Sequence, residues 1–132
     1  MYAWRSDISV RKTDKPWGKE TSWSAPWGTK GKIIKIEKGH RTSLKYYPLK
    51  NECLYCVKGS VKVTVKTESN EFCDRREGDY GIFDIMEDQV IMIMAGVPYR
   101  FEAINDDCVL FEVVSGDSGT SAVMLEDDYG RL

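Results

Sequence analysis

Residues 61–66 read Val-Lys-Val-Thr-Val-Lys, apolar and polar in strict alternation, which marks a strand with one face in a core and the other in water. From Gly31 onward similar short runs follow one another: residues 32–37, with Ile33, Ile34 and Ile36, then 42–47 and 52–57, and a Gly59-Ser60 turn before the alternating run. Residues 68–70 are expected to turn the chain, 71–74 to pair back as an edge, and 75–79 to form a charged, glycine-containing break. Apolar runs resume at 80–86 and 89–94, residues 95–98 turn, 99–104 continue, and 105–107 lead into 108–114. No stretch sustains the period of about 3.6 residues that a long amphipathic helix requires. Short strands recurring every 8–12 residues or so predict an all-β sandwich or barrel, because closure hides both the apolar faces and the strand edges. The expected layout is a single domain over 1–132, with a barrel core at about 31–115, an N-terminal arm at 1–30 and a C-terminal tail at 116–132. Pro16-Trp17-Gly18 and Pro26-Trp27-Gly28 echo each other and are expected to pack over a barrel end, while Leu125 and Tyr129 anchor the acidic tail.

Composition narrows the partners. The chain has 132 residues, 42% hydrophobic and 30% charged, which is ordinary for a globular domain. Nineteen basic and 21 acidic residues are interspersed, for a net charge of −2, so no basic face large enough to track nucleic acid is implied. No apolar run approaches the roughly 20 residues needed to span a bilayer, and the charged start lacks the apolar stretch of a signal peptide. Neither nucleic acid nor membrane is expected as a partner, and a cytoplasmic location is. Cys53, Cys56, Cys73 and Cys108 are then expected as free thiols. Cys53 and Cys56 form a C-x-x-C, but three residues apart on a strand they face opposite sides, which favours structural thiols over a redox or zinc pair.

One frame carries candidate chemistry. Gly39 is followed after five residues by Lys45, then Tyr47, then after four residues Glu52, with Gly59 closing the frame. In spacing this resembles the first motif of the cupin family, G-X5-H-X-H-X4-E-X6-G, with only Glu52 retaining a metal-ligand type. The second cupin motif can be laid on residues 88–103: Gly96 matches, and Tyr99 stands where the final histidine would be. Lys15-Pro16-Trp17-Gly18 and the segment 125–131 look like the flanks of the cupin domain of type II mannose-6-phosphate isomerases. The nucleotidyltransferase segment that precedes that domain in bifunctional enzymes is absent, so no sugar-nucleotide synthesis is implied.

The resemblance implies a double-stranded β-helix, or jelly-roll barrel, with residues 45, 47, 52 and 99 facing inward. It also implies a sugar or sugar phosphate as ligand, and a homodimer, since cupins often associate through sheet edges. Lys45, Tyr47 and Tyr99 are poor ligands for a divalent ion at neutral pH, and the one histidine, His40, lies off both motifs. No metal and no other cofactor is therefore expected. In the functional reading the Lys45 ammonium takes the cation's place, balanced by Glu52, and the two carry proton transfer in an aldose–ketose isomerisation. Tyr47 and Tyr99 hold sugar hydroxyls, and Arg131 grips a phosphate through paired hydrogen bonds. Two alternatives stand beside it: a carbohydrate-binding or structural cupin without catalysis, and a closed core in which Lys45 and Glu52 form a buried ion pair. Arg100, by alternation, points outward as a surface or dimer contact.

Overall fold

The computed structural model describes residues 1–67, 73–114 and 121–132. Among them run twelve strands and no helix: β1 (Val10–Lys15), β2 (Gly18–Ser24), β3 (Lys30–Ile36), β4 (Leu44–Tyr46), β5 (Glu52–Lys58), β6 (Ser60–Lys66), β7 (Arg75–Glu77), β8 (Tyr80–Met86), β9 (Val90–Ile93), β10 (Tyr99–Glu102), β11 (Cys108–Val114) and β12 (Val123–Glu126). They form two antiparallel six-stranded sheets, ordered β1-β2-β3-β11-β5-β9 and β12-β4-β10-β6-β8-β7. The chain passes repeatedly between the sheets, so that β11 lies between β3 and β5, far from both in sequence.

Alternation builds the space between the sheets. In β6, Val61, Val63 and Val65 are buried while Lys62, Thr64 and Lys66 are not, as the sequence predicts. Ile34, Ile36, Leu54, Cys56, Cys108 and Leu110 from the first sheet join Val61, Val63, Phe101 and Ala103 from the second in one hydrophobic cluster. Gly59, between β5 and β6, has φ of 78°, and a Cβ there would stand 2.4 Å from the Asp107 carbonyl oxygen. Only glycine serves at that turn, because it combines a left-handed backbone with a close approach.

Several expectations change. The first thirty residues are more than an arm: β1 and β2 form a hairpin that extends the first sheet from β3 in continuous register. The two Pro-Trp-Gly segments part company, with Trp17 in the core at 4% exposure and Trp27 outside at 72%. Residues 75–79 hold a three-residue edge strand, β7, paired with β8, where a break was expected; the turn at 68–70 and the start of the edge at 71–74 lie outside the described residues. The tail contains β12, which pairs with β4. Tyr129 packs against the core, but Leu125 is exposed. No disulfide joins the cysteines among the described residues; Cys56 and Cys108 are buried, Cys53 and Cys73 partly so. Arg100 does lie on the outer face of its sheet, yet it is buried. Its Nε donates to the Thr42 carbonyl at 3.0 Å, and Glu126 and Asp128 of the tail lie 3.6 and 3.5 Å from its guanidinium. The tail covers what alternation alone would leave exposed.

Candidate functional site

Three strands of the first sheet change character as they approach one end of the barrel. Inward positions run Ile36, Ile34, Lys32 along β3, Cys56, Leu54, Glu52 along β5, and Cys108, Leu110, Glu112 along β11. Lys32 and Glu112 are register partners, as are Glu112 and Leu54, so the three charges meet on one interior surface.

They are knitted together by ionic contacts. Lys32 Nζ lies 2.9 Å from Glu20 of β2 and 4.0 Å from Glu112. Lys50 Nζ reaches Glu112 Oε1 at 3.0 Å, although the angle does not make a hydrogen bond, so that buried oxygen has no hydrogen-bond partner. Lys50 also sits over the Tyr47 ring, 4.2 Å from its centroid, where a cation meets the negative face of the π-system. From the second sheet, Tyr99 donates its hydroxyl hydrogen to Glu52 Oε1 at 2.7 Å.

The electrostatics follow from burial and neighbours. Burial, the charge of Glu112 and a hydrogen bond with it push the Glu52 carboxyl up to about 7, against the pull of Tyr99 and Lys50. Lys45 moves the other way: burial and then the charge of Lys32 lower it, with Glu52 opposing. Burial raises Tyr47 to about 12 and Tyr99 well above its ordinary value, so both remain hydroxyl donors. Glu20 is lowered, because the charge and hydrogen bond of Lys32 outweigh burial.

A cavity of about 230 Å³ opens at this end. Among the described residues Lys15, Lys32, Lys45 and Arg131 give it four basic side chains, Glu20 a carboxylate, and Tyr47 a ring and hydroxyl. Of the five residues singled out by sequence, Lys45, Tyr47 and Arg131 thus share a cavity. Glu52 and Tyr99 are not among its lining residues; both are buried, Glu52 close enough to Lys45 and Tyr47 to act on them electrostatically and Tyr99 paired in register with Lys45. Arg131 is held at the rim by Asp127, Nη2 to Oδ1 at 2.8 Å, and by the Tyr129 ring, 5.7 Å from its centroid. Lys45 and Glu52 make no direct ion pair. The carboxylate that carries the buried pairing is instead Glu112, with Lys50 and Lys32. Sequence reasoning passed over Glu112, Lys32 and Glu20, though a glutamate and a lysine breaking apolar inward rows were signals in plain view.

The donor set does not suit a divalent cation. Among the described residues no three His, Cys, Asp or Glu side chains converge to hold one. The motif positions hold a lysine, which is not a usual ligand for such an ion, and two phenols that burial keeps protonated, and Glu52 accepts a hydrogen bond from Tyr99.

No protein-family model and no curated protein sequence matches the chain. Solved structures do match in shape. Oxalate decarboxylase of Bacillus subtilis, studied for its Mn(II) centres, superposes with a TM-score of 0.71 at 17% identity, over 89% of this chain and 30% of that one. The formate complex of the Lactobacillus farciminis oxalate decarboxylase gives 0.71 at 18%, over 89% and 34%. The fold is that of the cupins. A likeness at this identity establishes the cupin fold alone, and the chain spans about a third of the length of those enzymes.

Proposed function

We propose that this cupin-fold protein binds a small anionic sugar, such as a hexose phosphate, at the barrel end, and does so without a metal. The observation that carries the reading is the cavity wall, in which, among the described residues, four basic side chains face one carboxylate with a tyrosine hydroxyl beside them. The volume of about 230 Å³ lies below the roughly 300–1,000 Å³ of sites for drug-sized ligands, which favours one monosaccharide unit. Arg131 can offer its planar fork to a phosphate, at the cost of loosening from Asp127. Lys45, short of a direct counter-ion and disfavoured by burial, gains most from an arriving anion. Glu20 and Tyr47 are placed to meet hydroxyls.

Binding without turnover is the form the geometry favours, because Glu52 is buried outside the cavity and occupied by Tyr99. An isomerase reading rests on a different observation: Glu52 raised to about 7 and Lys45 lowered bring an acid and a base towards neutrality, where proton transfer is most effective. Calorimetric titration with mannose 6-phosphate, mannose and inorganic phosphate separates these. The phosphorylated sugar is expected to bind at least tenfold tighter than either fragment, undiminished by chelator, and Arg131→Ala to weaken it about tenfold, in line with one lost charge-assisted contact. Absence of heat with all three sinks the binding reading. Aldose–ketose conversion that survives chelator and vanishes in Glu52→Gln would establish the enzyme.

A further inference from the structure

The outer face of the second sheet carries a cavity of its own. With Val63 and Phe101 turned into the core, alternation brings Thr64 of β6 and Arg100 of β10 to the outside as register partners, and Lys62 and Glu102 beside them. Arg41 bridges Glu102 from the other side. Glu77 of β7 and Glu126 of β12, from the two edges of the sheet, help to enclose about 290 Å³. No described residue lines both this cavity and the one at the barrel end. Among the described residues its wall has three basic and three acidic side chains, and most are spent on one another. Arg41 Nη2 donates to Asp128 at 3.0 Å, and Lys62 Nζ lies 3.5 Å from Glu77. Arg100 and Glu102 are the exceptions. The Arg100 side chain is only 6% exposed, and with its Nε bonded back to Thr42 the η nitrogens form the free end of the fork. Its Nη2 is buried without a hydrogen bond; Glu126 and Asp128 stand 3.6 and 3.5 Å from the guanidinium, outside the roughly 2.7–3.2 Å of a good N–H···O bond. No described side chain bonds the Glu102 carboxylate, although its charge is felt at Arg41. A charged donor taken out of water and given no acceptor is costly to the fold, and an acceptor arriving from outside removes that cost.

We infer that this cavity is a second binding site, for a small zwitterion of the α-amino acid class, whose carboxylate meets the free end of Arg100 and whose ammonium meets Glu102. The planar fork of an arginine matches a carboxylate. Two residues apart on one strand face, Arg100 and Glu102 have Cα atoms about 6.7 Å apart, so one compact molecule can meet both side chains. Charge balance selects the class. A plain anion would enter among three glutamates and a plain cation among two arginines and a lysine, whereas a ligand with one charge of each sign is opposed by neither set. The Thr64 and Tyr80 hydroxyls are left for a polar side chain. The volume of about 290 Å³ lies at the lower edge of the roughly 300–1,000 Å³ of ligand pockets, in keeping with a single amino acid. The barrel end, with four basic side chains to one carboxylate, selects by the opposite rule, and the two sites stand or fall separately.

Calorimetric titration of the full chain with L-alanine, L-serine and L-glutamine tests this, with propionate and ethylamine as the two halves of alanine. At least one amino acid is expected to bind, and L-alanine, if it is the one, at least tenfold tighter than either half; for serine or glutamine the halves are the same molecule without its amino group or without its carboxylate. Glu102→Gln is expected to weaken the amino acid about tenfold, for one lost charge-assisted contact, and to leave the deaminated half unchanged. Arg100→Lys, which keeps the charge and loses the fork, should weaken both. Because Arg100 also holds the tail, the partly exposed Glu102 supplies the variant that does not disturb the fold, checked by an unchanged circular dichroism spectrum. Arg131→Ala should leave amino acid binding as it was, and Glu102→Gln should leave hexose-phosphate binding as it was. Absence of heat with all three amino acids overturns the proposal. So does a deaminated half that binds as tightly as the amino acid, an amino acid indifferent to Glu102→Gln, or one lost with Arg131→Ala, which would put it at the barrel end.

Discussion

The two ends of the barrel interior are built from the same strands and obey different physics. Toward one end, Ile36, Leu54, Cys56, Cys108 and Leu110 are wholly enclosed and have no polar atom to satisfy beyond the thiols. Toward the other, one step along each strand, Lys32, Glu52 and Glu112 replace them. The apolar end gains from every buried methylene. The charged end is held by pairings that only just offset the cost of taking ions out of water, and for an inert core leucine would serve there as well. The difference teaches that the charged end is the costlier one to fold, which is what supports the proposal that it meets a ligand.

Cutting one charge should hurt most. Glu112→Ala leaves Lys50 and part of Lys32's field buried without a counter-charge, with an expected loss of about 3–5 kcal/mol in urea unfolding. Replacing the pair together, Glu112→Leu with Lys50→Met, should recover most of that. If the single and double variants are equally unstable, Glu112 is acting as packing. At the apolar end Leu54→Ala is expected to cost about 2–5 kcal/mol whatever the pH, which supplies the contrast.

The pH dependence distinguishes the ends next. Glu52 titrates at about 7 when folded, against 4.5 for its ordinary value. The folded state therefore holds a proton that the unfolded chain has released, and stability is fully present below about 4.5 and lost as pH rises to about 7. Glu52→Gln should flatten that slope, as followed by urea midpoints across the range; an unchanged slope would assign it elsewhere. The smallest effect concerns Lys45. Its lowered pKa means that the charged form weakens the fold at neutral pH, a penalty relieved only as pH rises toward the ordinary lysine value. Lys45→Met should leave the thermal midpoint unchanged or raise it slightly, while removing hexose-phosphate binding, the exchange of stability for function common at binding sites.

The fold was legible because β alternation is local. Val61 to Val65 announce their strand unaided, and Gly59 its turn. What escaped depends on contacts between distant segments: β1, β2 and β12 carry weak apolar patterns and become strands by pairing with β3 and β4. The site was legible in part. Lys45, Tyr47 and Arg131 share a cavity, but the expected Lys45–Glu52 pair gave way to Glu112 with Lys50, a partnership between residues on separate segments that spacing cannot reveal. Arg100 escaped for the same reason, since its outward direction could be read but its cover by Glu126 and Asp128 could not.

That cover reaches further than Arg100. Ala122, Met124 and Arg131 form one wall of the cavity, while the same segment is fastened outside by Arg41 on Asp128 at 2.5 Å and by Arg100. Such half-exposed pairs weaken as the screening length shortens with added salt. Ionic strength thus becomes an allosteric effector of sorts: even an uncharged ligand should feel it, through a wall whose rivets are on the other side.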